Sequence, residues 1–320
     1  MLPLALIVEP GATPSSVMLT MDMLNVASRF PEAEGCRLDI LSVHGGAVRL
    51  SPCVSVDTQT MPEVLAGYAA VILPGFFAAD GAALIEQLQT VWQPVIARLR
   101  SLPGETLLAG SCYGTFVLAE SGVLDGATAT TPWWLQAEFR QRYPHIALDA
   151  DAVVVDSGRY LTAGAMTAHT DLTLHVLRRL LGAALVRSVS RIMLVDGARD
   201  SQRPFMALRR QFDDPLIQQA ADWLAAHGSV AVTTAALAEA LHVSYRTLHR
   251  RFQAAAGMPP IAYVQDLRVE HAKELLESTR MSLEQIVARV GYSDVPAFRR
   301  LFVRRAGLSP AQYRQRFRRG

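Results

Sequence analysis

GYSDVPAFRRLFVRRAGLSPAQYRQRF, residues 291–317, combines a helix start, an apolar stripe and a basic face. Asp294 is placed to cap a helix, Pro296 falls in the first turn, where a missing N–H costs nothing, and Phe298, Leu301 and Phe302 recur at the i, i+3, i+4 spacing of a buried helical face. Pro296, Arg299, Arg300, Val303 and Arg304 share the opposite face, and Gly307 is placed to end the helix. Guanidinium groups that the core does not need are free for phosphate oxygens or guanine edges, so the stretch predicts a helix that lies on DNA. A solvated, arginine-rich surface helix has the same composition, and this stretch alone does not separate the two.

A second copy does. Sliding the sequence by fifty positions pairs Ala238 with Ala288, Arg250 with Arg300, Phe252 with Phe302, Ala256 with Ala306, Gly257 with Gly307, Pro260 with Pro310 and Tyr263 with Tyr313. Each copy reads as a short helix, a turn and a second helix. In the first copy Ser244 caps the second helix, Leu248, Phe252 and Ala255 face inward, and Arg246, His249, Arg250 and Gln253 face outward. Two helix-turn-helices in tandem are expected.

GYSDVPAFRRLF followed by GLSPAQYR resembles the signature of AraC/XylS-type transcription regulators, and the resemblance covers residues 216–317. It implies one rigid unit whose two recognition helices enter adjacent major-groove segments on one face of double-stranded operator DNA. The helix around residues 261–277 would join them. The outward faces of those two helices supply the candidate DNA contacts, Arg246, His249, Arg250 and Gln253 from the first and Pro296, Arg299, Arg300 and Arg304 from the second.

At 320 residues, half of them apolar, the chain is long for one domain and sufficient for two. The net charge of +2 hides an asymmetry, because residues 1–200 carry 13 Arg and no Lys against 19 acids, and the remainder carries 18 Lys and Arg against 10 acids. Such segregation suits a nucleic-acid-binding half joined to a half that does something else. Cys36, Cys53 and Cys112, without paired or metal-binding spacing, point to reduced thiols in a cytoplasm. The opening MLPLALIVEP has no basic segment and reads as a first strand rather than a signal peptide, and no apolar run is long enough to span a membrane.

Short apolar runs at residues 4–8, 37–43, 69–73 and 106–110 alternate with helical patterns at about 15–28, 80–100 and 114–121. The alternation predicts an α/β fold with a parallel sheet buried on both faces. Runs near 127–131, 152–155 and 160–163 would complete the sheet, and a helix from about 168 to 182 would cover it. Residues 199–214, RDSQRPFMALRRQFDD, lose apolar periodicity and are expected to be a linker between a domain at 1–198 and an all-α domain at 215–320.

GSCYG at 110–114 turns a strand straight into a helix, the geometry of a nucleophile elbow. Cys112, at the positive end of that helix, is expected to favour thiolate and to be the thiol most sensitive to alkylation. With GSCYGTFVLAESGVLDGATATTPWW and the LPG at 73–75, residues 1 to about 185 resemble the ThiJ/PfpI-type, class I glutamine amidotransferase-like domain, a flavodoxin-like sheet between helices, in the version fused to AraC-type modules. The resemblance implies that Gly75 lies beside Cys112 and that an acid of the first helix, Asp22, approaches the thiol.

Enzymes of that family carry a histidine where this chain has Tyr113, and fused regulators often have a histidine where it has Pro132, so no general base is evident. His169 and His175, on the helix from 168, read as surface or core residues. Trp133 and Trp134 follow the end of a strand, the edge where open sheets bind ligands, and an aromatic wall there suits a cationic or amino-acid-like metabolite. Asp22, Gly75, Cys112, Tyr113 and Trp133 are therefore the candidate effector pocket, with Cys112 a vestigial nucleophile position. The expectation is a transcription regulator that needs no cofactor or metal, dimerises through its first domain and works with RNA polymerase. The alternative is a cysteine-dependent hydrolase or amidase tethered to DNA.

Overall fold

In the computed structural model the described residues are 1–320 without 103, 197–198, 209–211, 213, 228–232 and 319–320. The chain divides into two units, Met1–Gln202 and Arg203–Gly320. The division falls inside the stretch expected as linker. Residues 209–211 and 213 of that stretch lie outside the described residues.

The first unit is built on strands β1 (Leu2–Ile7), β2 (Cys36–Ser42), β3 (Gly46–Ser51), β4 (Val54–Thr60), β5 (Ala70–Leu73), β6 (Leu107–Ser111), β7 (Thr128–Ala129), β8 (Ala147–Leu148), β9 (Val154–Ser157) and β10 (Tyr160–Ala163). Eight of them form one sheet in the order β3-β4-β2-β1-β5-β6-β10-β9, and β7 and β8 pair separately. The segment near 127–131 thus does not join the main sheet as expected. The middle is parallel, whereas β3 and β9 run antiparallel to their neighbours.

Alternation along the central strands feeds two cores. Ala5 and Ile7 of β1 and Val71 and Leu73 of β5 enter one, with Leu84, Trp92, Leu99 and Phe116 from the covering helices. Leu4 and Leu6, Ala70 and Ile72 enter the other, beneath Val17, Met23, Leu172 and Val176. Burial on both faces explains why these strands read as continuous apolar runs. Helices α1 (Pro14–Ala27), α2 (Gly81–Gln89), α3 (Gln93–Arg100), α4 (Gly114–Glu120), α5 (Gln136–Arg142), α6 (Ala168–Leu181) and α7 (Ala183–Ile192) complete the unit. The single helix expected at 80–100 is two, divided at residues 90–92 before Pro94 in the first turn of α3.

Among the described residues of the second unit the elements are a short turn at Arg203–Phe205 and the helices α8 (Pro215–His227), α9 (Thr234–Ala240), α10 (Tyr245–Ala256), α11 (Pro260–Ser278), α12 (Leu283–Arg289), α13 (Val295–Ala306) and α14 (Pro310–Phe317). Leu237, Leu248, Phe252, Tyr263 and Val264 form one core, and Val269, Leu276, Ile286, Phe298, Leu301 and Phe302 form another, so α11 belongs to both. Ser244 caps α10 and Asp294 caps α13, each through a side-chain oxygen on the third backbone N–H. Both helices end on a left-handed glycine, Gly257 at φ 69° and Gly307 at φ 71°.

The repeat changes register inside its turn. Thr233 caps α9 and Ser282 caps α12, an offset of forty-nine, whereas α10 and α13 are offset by fifty. Val243 N–H donates to Ala238 O and Tyr292 N–H donates to Val287 O, each at 3.0 Å. Ala238 therefore matches buried Val287, not exposed Ala288, and the second turn holds one extra residue, Ser293. His242 and Gly291 occupy the same left-handed position, at φ 52° and 81°. Among the described residues no helix is long and apolar enough to cross a membrane.

Candidate functional site

On α10 the side chains of Arg246, Arg250 and Gln253 are exposed and His249 is half-buried, 5.9 Å from the Tyr245 ring. Tyr245 and Thr247 line the same concave face as these four. Tyr245 was not anticipated, although its place as the first residue after the Ser244 cap puts it at the helix end that leads into a groove. On α13, Pro296, Arg299, Arg300, Val303 and Arg304 are all exposed.

Three other arginines of the unit are tied to groups of the protein. Arg251 holds Asp214, the residue whose Oδ1 caps the start of α8, Arg305 lies 2.8 Å from Asp266, and Arg314 donates to Met281 O. The Arg251 guanidinium holds the Asp214 carboxyl below its usual range. Among the described residues Arg246, Arg250, Arg299, Arg300 and Arg304 have no ion-pair partner. Cations outside any ion pair are the ones available to phosphate.

In the first unit the strand-to-helix turn places Cys112 at φ 54°. Its N–H donates to Ala163 O and Gly164 O at 3.0 Å, which ties the elbow to the end of β10. A Cβ on Gly75 would lie 2.9 Å from Cys112 Cβ, and one on Gly114 would collide with the Leu73 carbonyl. The two loops approach so closely that only glycine fits between them.

Burial works against the thiolate expected at Cys112. Cys112 is 4 % exposed, and burial pushes it up to about 12, against a smaller opposing pull from the Tyr113 N–H. Desolvation outweighs the helix terminus here. Asp22 does not approach it, because α1 turns Ser16, Val17, Thr20, Met23 and Leu24 inward and leaves Asp22 exposed. A buried acid does exist at the end of β1: Glu9 accepts from Val43 N–H at 2.7 Å, and its carboxyl is raised by burial.

His169, read from sequence as a surface or core residue, belongs to the core. It is buried at the centre of a chain linking α1, β6 and α6. Thr20 Oγ1 gives its one hydrogen to Ser16 O, so it accepts from His169 Nε2–H at 2.7 Å. Nδ1 then accepts the Ser111 hydroxyl at 2.7 Å. Burial pushes the imidazole down to about 4, which keeps it neutral. Both nitrogens are engaged, and Ser111 precedes Cys112 directly. His175, half-buried, meets Asp171 O at 2.9 Å.

Aromatic rings gather beyond the ends of β5, β6 and β7. Phe76 stacks on Trp92 at 4.9 Å and meets Tyr113 edge-on at 5.5 Å. Trp134 Nε1 donates to Tyr113 Oη at 3.5 Å, and Trp133 meets Trp134 edge-on at 5.3 Å. Phe77 is 56 % and Trp134 41 % exposed. The structure thus brings Gly75, Cys112 and Tyr113 together, extends them through Trp134 to Trp133, and leaves Asp22 out.

A helix-turn-helix domain profile matches residues 237–316. The chain is 30 % identical over 310 residues, 95 % of its length and 89 % of the relative's, to the HTH-type transcriptional regulator CdhR of Pseudomonas aeruginosa. The HTH-type transcriptional regulator ArgR of the same organism is 30 % identical over 210 residues, 65 % of this chain and 64 % of that one. The fold of the first unit is shared with Drosophila melanogaster DJ-1beta, at a TM-score of 0.51 and 23 % identity over 61 % of this chain and 99 % of that one. With a tandem helix-turn-helix behind a DJ-1/ThiJ/PfpI-like sheet, the chain belongs to the AraC-type family of HTH transcription regulators that carry such an N-terminal domain.

Proposed function

We propose that this chain is a cytoplasmic, homodimeric transcription regulator whose first unit binds a small metabolite and whose second unit reads operator DNA in concert with RNA polymerase. The observation that carries the reading is the pair of outward faces on α10 and α13, whose five arginines have no ion-pair partner among the described residues. Arg246, His249, Arg250 and Gln253 read bases and phosphates in one groove segment; Pro296, Arg299, Arg300 and Arg304 do so in the next. The effector rests on the aromatic edge formed by Tyr113, Trp133 and Trp134 over Gly75 and Cys112, a surface whose ring faces favour a cationic or amino-acid-like molecule.

The environment of Cys112 speaks against a hydrolase. A nucleophile needs thiolate and a base, whereas burial holds this group as thiol, Asp22 is exposed and His169 has both nitrogens engaged. Two measurements on the full chain test the proposal. Selection from a randomised duplex pool is expected to return a common sequence, and a metabolite thermal-shift screen is expected to find a ligand adding about 2.7 kcal/mol at a hundredfold its dissociation constant. Retention of all duplexes alike, or turnover that disappears in Cys112→Ser, would overturn the reading.

A further inference from the structure

The end of the first unit is held more firmly than a tether requires. Beyond α7 the chain returns to the sheet, where Gln202 N–H donates to Asp151 O at 2.7 Å and Val153 N–H to Asp200 O at 3.4 Å. The Gln202 side chain is buried. Its Nε2 lies 2.9 Å from Ala152 O, 3.1 Å from Thr131 O and 3.2 Å from Thr130 Oγ1, and its Oε1 accepts from Ala165 N–H at 3.2 Å. Thr130 gives its hydroxyl hydrogen to Ala152 O, so toward Gln202 it can only accept. Three acceptors beside one donor select a carboxamide over a carboxylate.

Gly164 forms the floor of this socket, since any side chain there would collide with Gln202. The socket borders the elbow, because Gly164 O accepts the Cys112 N–H, and it borders the aromatic edge, because Thr131 leads into Pro132 and Trp133.

The next residues are held within the second unit. Arg203 Nη1 donates to Arg304 O at 3.0 Å, in the last turn of α13, where backbone carbonyls lack helical partners and favour a cation. Phe205 meets Phe317 edge-on at 5.3 Å beneath the Arg316 guanidinium, and Lys273 Nζ donates to Met206 O at 3.0 Å.

We propose that Gln202 and Arg203 form a coupling pair, in which occupancy of the Thr130–Thr131–Ala152–Ala165 socket by the Gln202 carboxamide sets how firmly Arg203 holds the C-terminal turn of the second recognition helix. One peptide bond separates the two residues, so freeing the first loosens the backbone from which the second reaches. A ligand that brings N–H donors to Thr131 O and Ala152 O competes with Gln202 directly. Arg203 is thus a positioning residue for DNA reading. The inference rests on the reading of the chain as an effector-controlled regulator.

Hydrogen exchange followed by mass spectrometry on the full chain tests it without DNA or effector. Gln202→Ala is expected to accelerate exchange at least threefold at residues 164–165 and also at 303–307. Coupling is reciprocal, so Arg203→Ala is expected to accelerate exchange at 164–165 as well. If Gln202→Ala loses the circular dichroism of the wild type, Arg203→Ala decides alone. Acceleration that stays within the unit carrying the substitution overturns the coupling. A wild-type chain that selects no duplex sequence would remove the regulator reading and leave the exchange result standing.

Discussion

The two units treat their chemically able side chains in opposite ways. In the first, Cys112, His169 and Glu9 are turned inward, and the thiol and the imidazole are held neutral by burial. In the second, the arginines of α10 and α13 are turned outward while their neighbours Arg251 and Arg305 hold acids. A residue type with reactive potential becomes a structural group once it loses water, and a bland cation becomes a functional one when nothing inside the protein claims it.

Thiol labelling tests this contrast at its largest. The rise from 9.0 to about 12 removes about three orders of magnitude of thiolate at neutral pH, so iodoacetamide is expected to modify exposed Cys53 about a thousandfold faster than Cys112 in native protein. Equal rates would mean that the elbow is open and that the inward half of the comparison fails. Next in size is His169. Its folded pKa, about 4, lies below the ordinary 6.5, so its contribution to stability is complete above pH 6.5 and is lost as pH falls toward 4. The loss amounts to roughly 3 kcal/mol. Urea unfolding across that range measures it, and His169→Gln, which cannot titrate, should show a shallower slope than wild type.

On the outward side the expected effects are smaller and differ between the helices. Arg246→Ala or His249→Ala should flatten base preference in one half of the site, at about 1 to 3 kcal/mol for a lost bidentate contact. Arg304→Ala, in a face that is nearly all guanidinium, should weaken binding to every sequence and lower the salt slope by about 0.9. Arg250→Ala and Arg300→Ala, at matched positions, should behave alike. Binding to a randomised duplex library at two salt concentrations reads all of these, and an Arg304 variant with changed base preference and an unchanged slope would break the division of labour.

What could be read from sequence was local and periodic. Phe298, Leu301 and Phe302 announce an inward face, and the cap at Asp294 and the stop at Gly307 bound it. Central strands buried on both sides were equally legible. The hairpin of β3 and β4 was missed because VSVDTQT alternates without a strong apolar signal. The repeat was read in one register because a single extra residue, Ser293, hides in a turn. The burial of Cys112 is not legible locally: the turn favours thiolate, whereas the segments that enclose it, at Gly75 and at Ala163–Gly164, are distant in sequence. His169 could not be placed because its partners lie 58 and 149 residues away in sequence.

Helix α11, shared by both cores of the second unit, also acts as a ruler. Its 19 residues span about 28 Å, comparable with one turn of duplex. Its length fixes both how far apart the two reading heads stand and the angle between them. One residue inserted at its middle would swing the second head by about 100° and carry it off the face the first one reads. Seven would return it nearly to phase but displace it by about 10 Å, roughly three base-pair steps along the groove. An operator is thus measured in phase as well as in letters, and a chain lengthened by seven should choose a site whose two halves stand further apart.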